Sequence, residues 1–348
     1  MRLPRNAQIW LPGYLATRWR RRPAPRHVWL MIGDHYEPLL GEAQPELASD
    51  RVRLWRERWP EIAARHRDSA GRPPQYTFFY PEEEYRADLL DPLAEMTCLG
   101  IGDVEVHLHH DRDTAESFVE RVTRFKETLS SRHGLLRRLN GELVFGFIHG
   151  NWALDNSLPD GRWCGLNNEI TLLKQLGCYA DFTLPSAPSP SQTRTVNSIY
   201  WATDDPRLPK SHDRGTPVRI GGEREGDLLM VQGPLAVRFR ENGRRVPRVE
   251  VGELAGQDPP TADRVRLWFR FAPQLGEHLF IKLHTHGAQD KNSAMLLGGG
   301  LDDLFRLVGE HAAARGCRLH FATAWDFYRA IETLRTGGDP AAGMASTP

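Results

Sequence analysis

Residues 102–114 read GDVEVHLHHDRDT. On a strand successive side chains point to opposite faces, so Val104, Val106 and Leu108 share one side while Glu105, His107 and His109 share the other. His107, His109, His110, Asp111 and Asp113 fall within seven residues, a heavy polar load for a strand that only supports a core. Buried without partners such groups would be costly, so they are expected to satisfy one another or to hold a cation. The apolar face is expected to pack under helices and the polar face to line the inside of a curved sheet.

Working outward, the flanking chain alternates short apolar runs with stretches of helical periodicity. Upstream, strands are expected at 27–33 (HVWLMIG) and Gln75–Tyr80, with helices at Asp50–His66 and Arg86–Cys98. Downstream, the pattern predicts helices at Thr114–Leu136 and Asn168–Leu176 and strands at Leu143–His149 and Tyr179–Leu184. Residues 185–227 are rich in Pro, Ser, Thr and Asp and read as a long loop. Strands follow at Leu228–Val231, Leu279–His284 and Arg318–Ala322, with helices at Leu301–Arg315 and Ala324–Leu334. Seven or eight strands separated mostly by helices imply an α/β fold with a parallel sheet. Polar residues gather just after the strands, which favours a (β/α) barrel with its site at the carboxyl ends over an open doubly wound sheet.

Three further strand ends carry chemistry. Asp34-His35-Tyr36-Glu37 closes the first strand and offers a base and a metal ligand from one turn. Lys282-Leu283-His284-Thr285-His286 places two imidazoles on one side, suited to metal binding or to protonating a leaving group. His149-Gly150-Asn151-Trp152 supplies an imidazole, an amide and an aromatic plate that fits a sugar ring. His212–Asp213 and the acid run Glu82–Glu84 are weaker signals, the latter reading as a solvated face. Gly298–Gly300 reads as a flexible loop, since no phosphate-binding glycine motif is present. No GxSxG occurs, so serine-based catalysis is poorly supported.

Composition sets outer limits. Lys+Arg and Asp+Glu are both 45, giving zero formal charge over 348 residues, which argues against a nucleic-acid binder. Residues 1–26 form a basic arm expected to pack Trp10, Tyr14 and Trp19 on the domain, with peripheral membrane or partner contact as a secondary reading. No apolar run is long enough for a membrane span or a secretory leader, and the four cysteines lack CxxC spacing. A reducing cytoplasm is the expected compartment. The expected layout is one domain over 27–335, with the loop at 185–227 inserted and a disordered tail at 336–348.

In their order these features resemble the polysaccharide deacetylase (NodB-homology, carbohydrate esterase family 4) group. HVWLMIGDHYEP stands where that family has its TFDDGP strand, and QYTFFYPEEEY where a TFF strand stands. GDVEVHLHHDRDT occupies the place of E-[IV]-x-x-H-[ST]-x-x-H, HGNW that of RxPY, and IKLHTHG that of the late leucine-histidine motif. The likeness runs over about 27–186 and 279–330. It implies a distorted (β/α) barrel and a divalent metal, zinc first, held by His35, His109 and Asp113. It implies Asp34 as catalytic base and His284 or His286 as acid. Glu37, His107, His110, His149, Asn151 and Trp152 are then expected around the substrate, an N- or O-acetylated sugar or glycan precursor. Asp113 stands where the family has histidine, and His35 where it has aspartate. A glycoside hydrolase, another carbon–nitrogen hydrolase or a non-catalytic carbohydrate-binding relative are the competing readings.

Overall fold

The computed structural model describes residues 4–41, 43–241 and 245–341. It is a mixed α/β fold on one large, mostly parallel sheet of 13 strands among the described residues. The central path runs His278–Thr285, His27–His35, Tyr76–Pro81, Gly102–Leu108, Glu142–His149, Cys178–Asp181 and Leu228–Val231, each neighbour parallel to the next. Ile199–Ala202 continues the path antiparallel, and Arg318–Phe321 pairs beside the first half of His27–His35.

Closure into a barrel, the expected architecture, is not among the described strand pairings. The path ends on the short strands Glu253–Leu254 and Thr216–Pro217. The two flanks meet through a side chain instead. Lys282, fully enclosed, donates to the carbonyl of Leu184 at 2.6 Å and to that of Phe182.

Strand alternation divides the core in two. Val28, Leu30, Ile32, Val104, Val106, Leu108, Phe147, Ile281 and Leu283 pack against helix residues such as Trp55, Trp59, Leu89 and Phe118. Trp29, Met31, Phe79, Ile148 and Phe280 fill the opposite, inner side together with Phe182 and Phe327. Each such side chain contributes about 1.5–3 kcal/mol on burial, so these two clusters hold the sheet.

Several element bounds differ from those expected. The second helix spans Pro45–Arg65, five residues earlier than the apolar stripe indicates, because Pro45 at its first turn presets the backbone. The helix Ala115–His133 is capped by Thr114, whose hydroxyl accepts from the Ser117 amide at 3.2 Å. The 185–227 segment contains the strand Ile199–Ala202, so it is not loop throughout. Gly298–Gly300 forms a kink between the helices Asp290–Met295 and Leu301–Ala313, with Gly298 and Gly299 outside helical geometry and Gly299 at φ 120°.

A hairpin and two helices lie outside the expected elements. The hairpin Ala236–Glu241 with Arg245–Glu250 rests on the helix Ala262–Phe271, joined by the buried Arg264–Glu250 pair at 2.8 Å. In the amino-terminal arm, helix Ala7–Trp19 buries Trp10 and Tyr14 beside Phe271 and Leu235, while Trp19 stays exposed. The expected tail lies partly outside the described residues. Its first part turns back on the last helix, with Gly338 N donating to Thr333 O at 2.8 Å.

Candidate metal centre

Strand register brings the predicted residues together. Gly33 pairs with His284, so His35 and His286, each two residues further on, come level on the same face. His35 pairs with Phe79 and Pro81 with His107, which sets Glu37 in the row of His107. The result is a group on the inner face at the carboxyl ends of adjacent strands: Glu37 ringed by His107, His109 and His286, with His35 and His284 alongside.

Glu37 is nearly fully buried. Its Oε1 lies 3.3 Å from His107 Nε2 and 3.2 Å from His109 Nε2, and its Oε2 lies 3.0 Å from His286 Nδ1. Burial would raise its pKa, but hydrogen bonds from these three histidines hold it well below the ordinary carboxylate range. The His35 ring sits 4.7 Å from that of His286, 4.9 Å from that of His107 and 6.3 Å from that of His284. Burial, then the charge of neighbouring histidines, keeps His35 far below the usual imidazole value. His284 is depressed in the same way by burial and by Lys282.

The surrounding hydrogen bonds fix ring orientation. His107 Nδ1 donates to the Ile148 carbonyl at 2.8 Å, which leaves Nε2 facing Glu37. That nitrogen can meet a carboxylate only through a proton or a cation. His109 stands between two carboxylates, with Nε2 on Glu37 and Nδ1 on Glu83. Burial opposes its charge, yet those two partners raise its pKa to about 10. Glu83 belongs to the acid run read from sequence as solvated. It is engaged instead, as are Glu82 with Arg121 and Glu84 with the Leu39 amide.

Two donor sets emerge from this geometry, His35 with Glu37 and His286, and Glu37 with His107 and His109, each with ligand atoms within 4.8 Å of one another. A carboxylate with several imidazoles is a sound donor set for zinc or another divalent ion. Glu37, expected near the substrate, is the member shared by both sets.

Three expected roles need correction on geometry. Asp34 follows the parity of Leu30 and Ile32, so its carboxylate points to the helix side, away from His35. It accepts from Tyr76 Oη at 2.8 Å and from the Gly287 amide at 2.6 Å, and burial pushes it up to about 7. A base there cannot reach a group bound on the inner face. Asp113 is not brought to His35 and His109. Its Oδ2 lies 3.4 Å from His110 Nδ1 and 3.7 Å from Arg121. His110 and His149 likewise turn to the helix side, where they meet Glu169.

Trp152 does face the centre, its ring 6.4 Å from that of His35 and 6.3 Å from that of His286. The turn carrying it begins at Gly150, where a Cβ would fall 2.3 Å from His109 Cδ2, so only glycine lets the loop pack this closely. Asn151 and Trp152 both have positive φ, 54° and 55°. His212 is buried in the 185–227 segment, where its carbonyl accepts from Tyr200 Oη at 2.6 Å.

No family model and no curated protein matches the chain. Among solved structures it is similar to the Xyl-CE4 domain of a multidomain xylanase from the hindgut metagenome of Trinervitermes trinervoides. Identity is 11% and the TM-score 0.37, over 88% of this chain and 92% of that one. A likeness at that TM-score carries no weight for the chemistry, which rests on this chain's own residues.

Proposed function

We propose that the chain is a metal-dependent hydrolase, and that it removes an N- or O-acetyl group from a sugar or glycan precursor. The observation that carries the first part is Glu37 enclosed by His107, His109 and His286 beside His35. One buried carboxylate among four imidazoles is costly unless protons or a cation balance it. Zinc is the ion best suited to these donors. A divalent ion so held would polarise an acyl oxygen and supply a nucleophile at neutral pH.

The protein's own groups have separable tasks. Glu37 would hold the ion with His107 and His109 or with His35 and His286, and Glu83 would orient His109 from behind. His284 shares the inner face and makes no side-chain hydrogen bond among the described residues. With its pKa so depressed His284 is neutral at pH 7, so it would first take the proton of the attacking water as base and then pass that proton to the leaving amine or alkoxide. Trp152 offers a flat face to a sugar ring at the mouth of the site. The acetylated-sugar reading rests on this plate and on the order of motifs in the sequence.

The test is to assay metal-loaded protein on a panel of N- and O-acetylated oligosaccharides, with metal content measured in parallel. Released acetate that disappears in His284→Ala, with bound metal retained, supports the reading. A new reducing end without acetate would move it to glycoside hydrolysis. Bound metal with neither product would make it a non-catalytic carbohydrate-binding protein.

A further inference from the structure

A second cluster lies on the helix side of the sheet, behind the first. His110 follows the Gly102–Leu108 strand, and His149 ends the strand Glu142–His149. Cys164 comes from the loop after it, and Glu169 from the first turn of the helix Glu169–Gln175. All four are buried, and one donor atom from each lies within 4.8 Å of the others. We propose that these four residues form a closed, structural zinc site, independent of the Glu37 centre.

The spacing supports it. Four donors around tetrahedral zinc stand roughly 3.3–3.7 Å apart, given zinc–nitrogen and zinc–sulfur bonds of about 2.0–2.3 Å. Glu169 Oε1 lies 3.3 Å from His110 Nε2 and 3.6 Å from His149 Nε2, and Glu169 Oε2 lies 3.3 Å from Cys164 Sγ. Hydrogen bonds have the same lengths, but all four donor atoms lying within 4.8 Å of one another is the convergence an ion needs.

The hydrogen bonds point the same way. His149 Nδ1 is taken by the Gly150 carbonyl, so its Nε2 carries a lone pair aimed into the cluster. That nitrogen is fully buried and has no hydrogen-bond partner among the described residues. Cys164 Sγ accepts from the amides of Asn156 at 3.2 Å and Leu166 at 3.4 Å, which would support a thiolate once a cation is bound, whereas burial and the Glu169 charge keep the thiol protonated without one. Asp113 Oδ2 lies 3.4 Å from His110 Nδ1, and neither atom has a hydrogen-bond partner among the described residues, so this carboxylate stands where it would orient a ligating imidazole after a small approach. Four protein donors leave no open position, which is the mark of a structural rather than a catalytic zinc.

The site has a job in the fold. Residues 150–168 form a long connection with positive φ at Asn151, Trp152, Asp155, Asn156 and Trp163. A loop of this length held in such conformations needs to be tied down. Zinc on Cys164 and Glu169 would fasten its far end to the two strand ends that carry His110 and His149, and so fix Trp152 over the other centre.

Cobalt substitution of the full chain tests this. Cobalt-loaded protein is expected to show near-ultraviolet thiolate-to-cobalt absorption, kept in Cys178→Ser and Glu37→Gln and lost in Cys164→Ser. Zinc content is expected to fall by one equivalent per chain in Cys164→Ser. A cobalt-loaded wild-type protein without the thiolate band overturns the proposal, however the variants fold. The cluster would then be metal-free, with His110 protonated between Asp113 and Glu169 and the Cys164 thiol donating to Glu169.

Discussion

The Asp34 carboxylate accepts a hydrogen bond from the Gly287 amide at 2.6 Å, while Trp55 Nε1 donates to the Gly287 carbonyl at 2.9 Å. Gly287 follows His286, so Asp34 sets the position of an imidazole that faces the other side of the sheet. A Cβ on Gly287 would lie 2.1 Å from Asp34 Oδ2, which shows how tightly the two pack. Asp34 is thus a positioning residue. Asp34→Asn is expected to keep measurable turnover, because the amide oxygen still accepts from Gly287. Asp34→Ala is expected to cost about 2–4 kcal/mol by leaving the Tyr76 and Gly287 donors unpaired. Urea denaturation and steady-state kinetics on both variants check this, and complete loss of turnover in a stably folded Asp34→Asn would restore it as the base.

Glu83 touches the centre only through His109. Removing its charge in Glu83→Gln is expected to weaken metal affinity about 10–100-fold, as loss of an orienting carboxylate does. Competition with a chelator measures it. An unchanged affinity would mean that His109 is not a ligand.

Deep in the inner face, Arg137 binds Glu105 Oε1 at 2.7 Å and also Asp103. Glu105 further accepts from Tyr179 Oη and from the Gly146 amide, each at 2.6 Å. Arg137→Met is expected to destabilise the fold by about 3–5 kcal/mol, since two buried carboxylates lose their cation. Replacing Glu105 by Gln in the same chain should recover part of that loss. No recovery would place the effect in the packing of Arg137 on Trp325.

At the opposite, amino ends of the strands, His278 and His320 stack with His27 and Trp29. Burial, then the neighbouring His27, lowers both His278 and His320 to about 4. Unfolded imidazoles titrate near 6.5, so between about 6.5 and 4 the unfolded chain binds more protons than the folded one. Stability is therefore present above pH 6.5 and is lost as pH falls towards 4. Urea midpoints measured across this window in wild type and His320→Phe should diverge in slope, and parallel curves would remove the stack as the cause.

The inner centre was largely legible because period-two alternation sorts His107 from Val106 without any tertiary knowledge. The same rule, applied to Asp34 beside His35, already separates them onto opposite faces. The motif resemblance obscured that separation by assigning both to one site. Glu83 was hidden by its charged neighbours, since a run of glutamates looks alike whether solvated or engaged. Cys164 and Glu169 were illegible for another reason. They reach His110 and His149 only through the irregular 150–168 connection, whose path no periodicity encodes. Closure of the sheet could not be read either, because it depends on which flanks pair rather than on any local pattern.

His109 and His110 are adjacent in the chain, yet one meets Glu37 inside the sheet and the other Glu169 behind it. Inserting a single residue between Leu108 and His109 would turn both imidazoles over together. Length there is under tighter constraint than composition. Substitution of a ligand can disturb one cluster alone, but a change of length at the Leu108–His109 junction disturbs both.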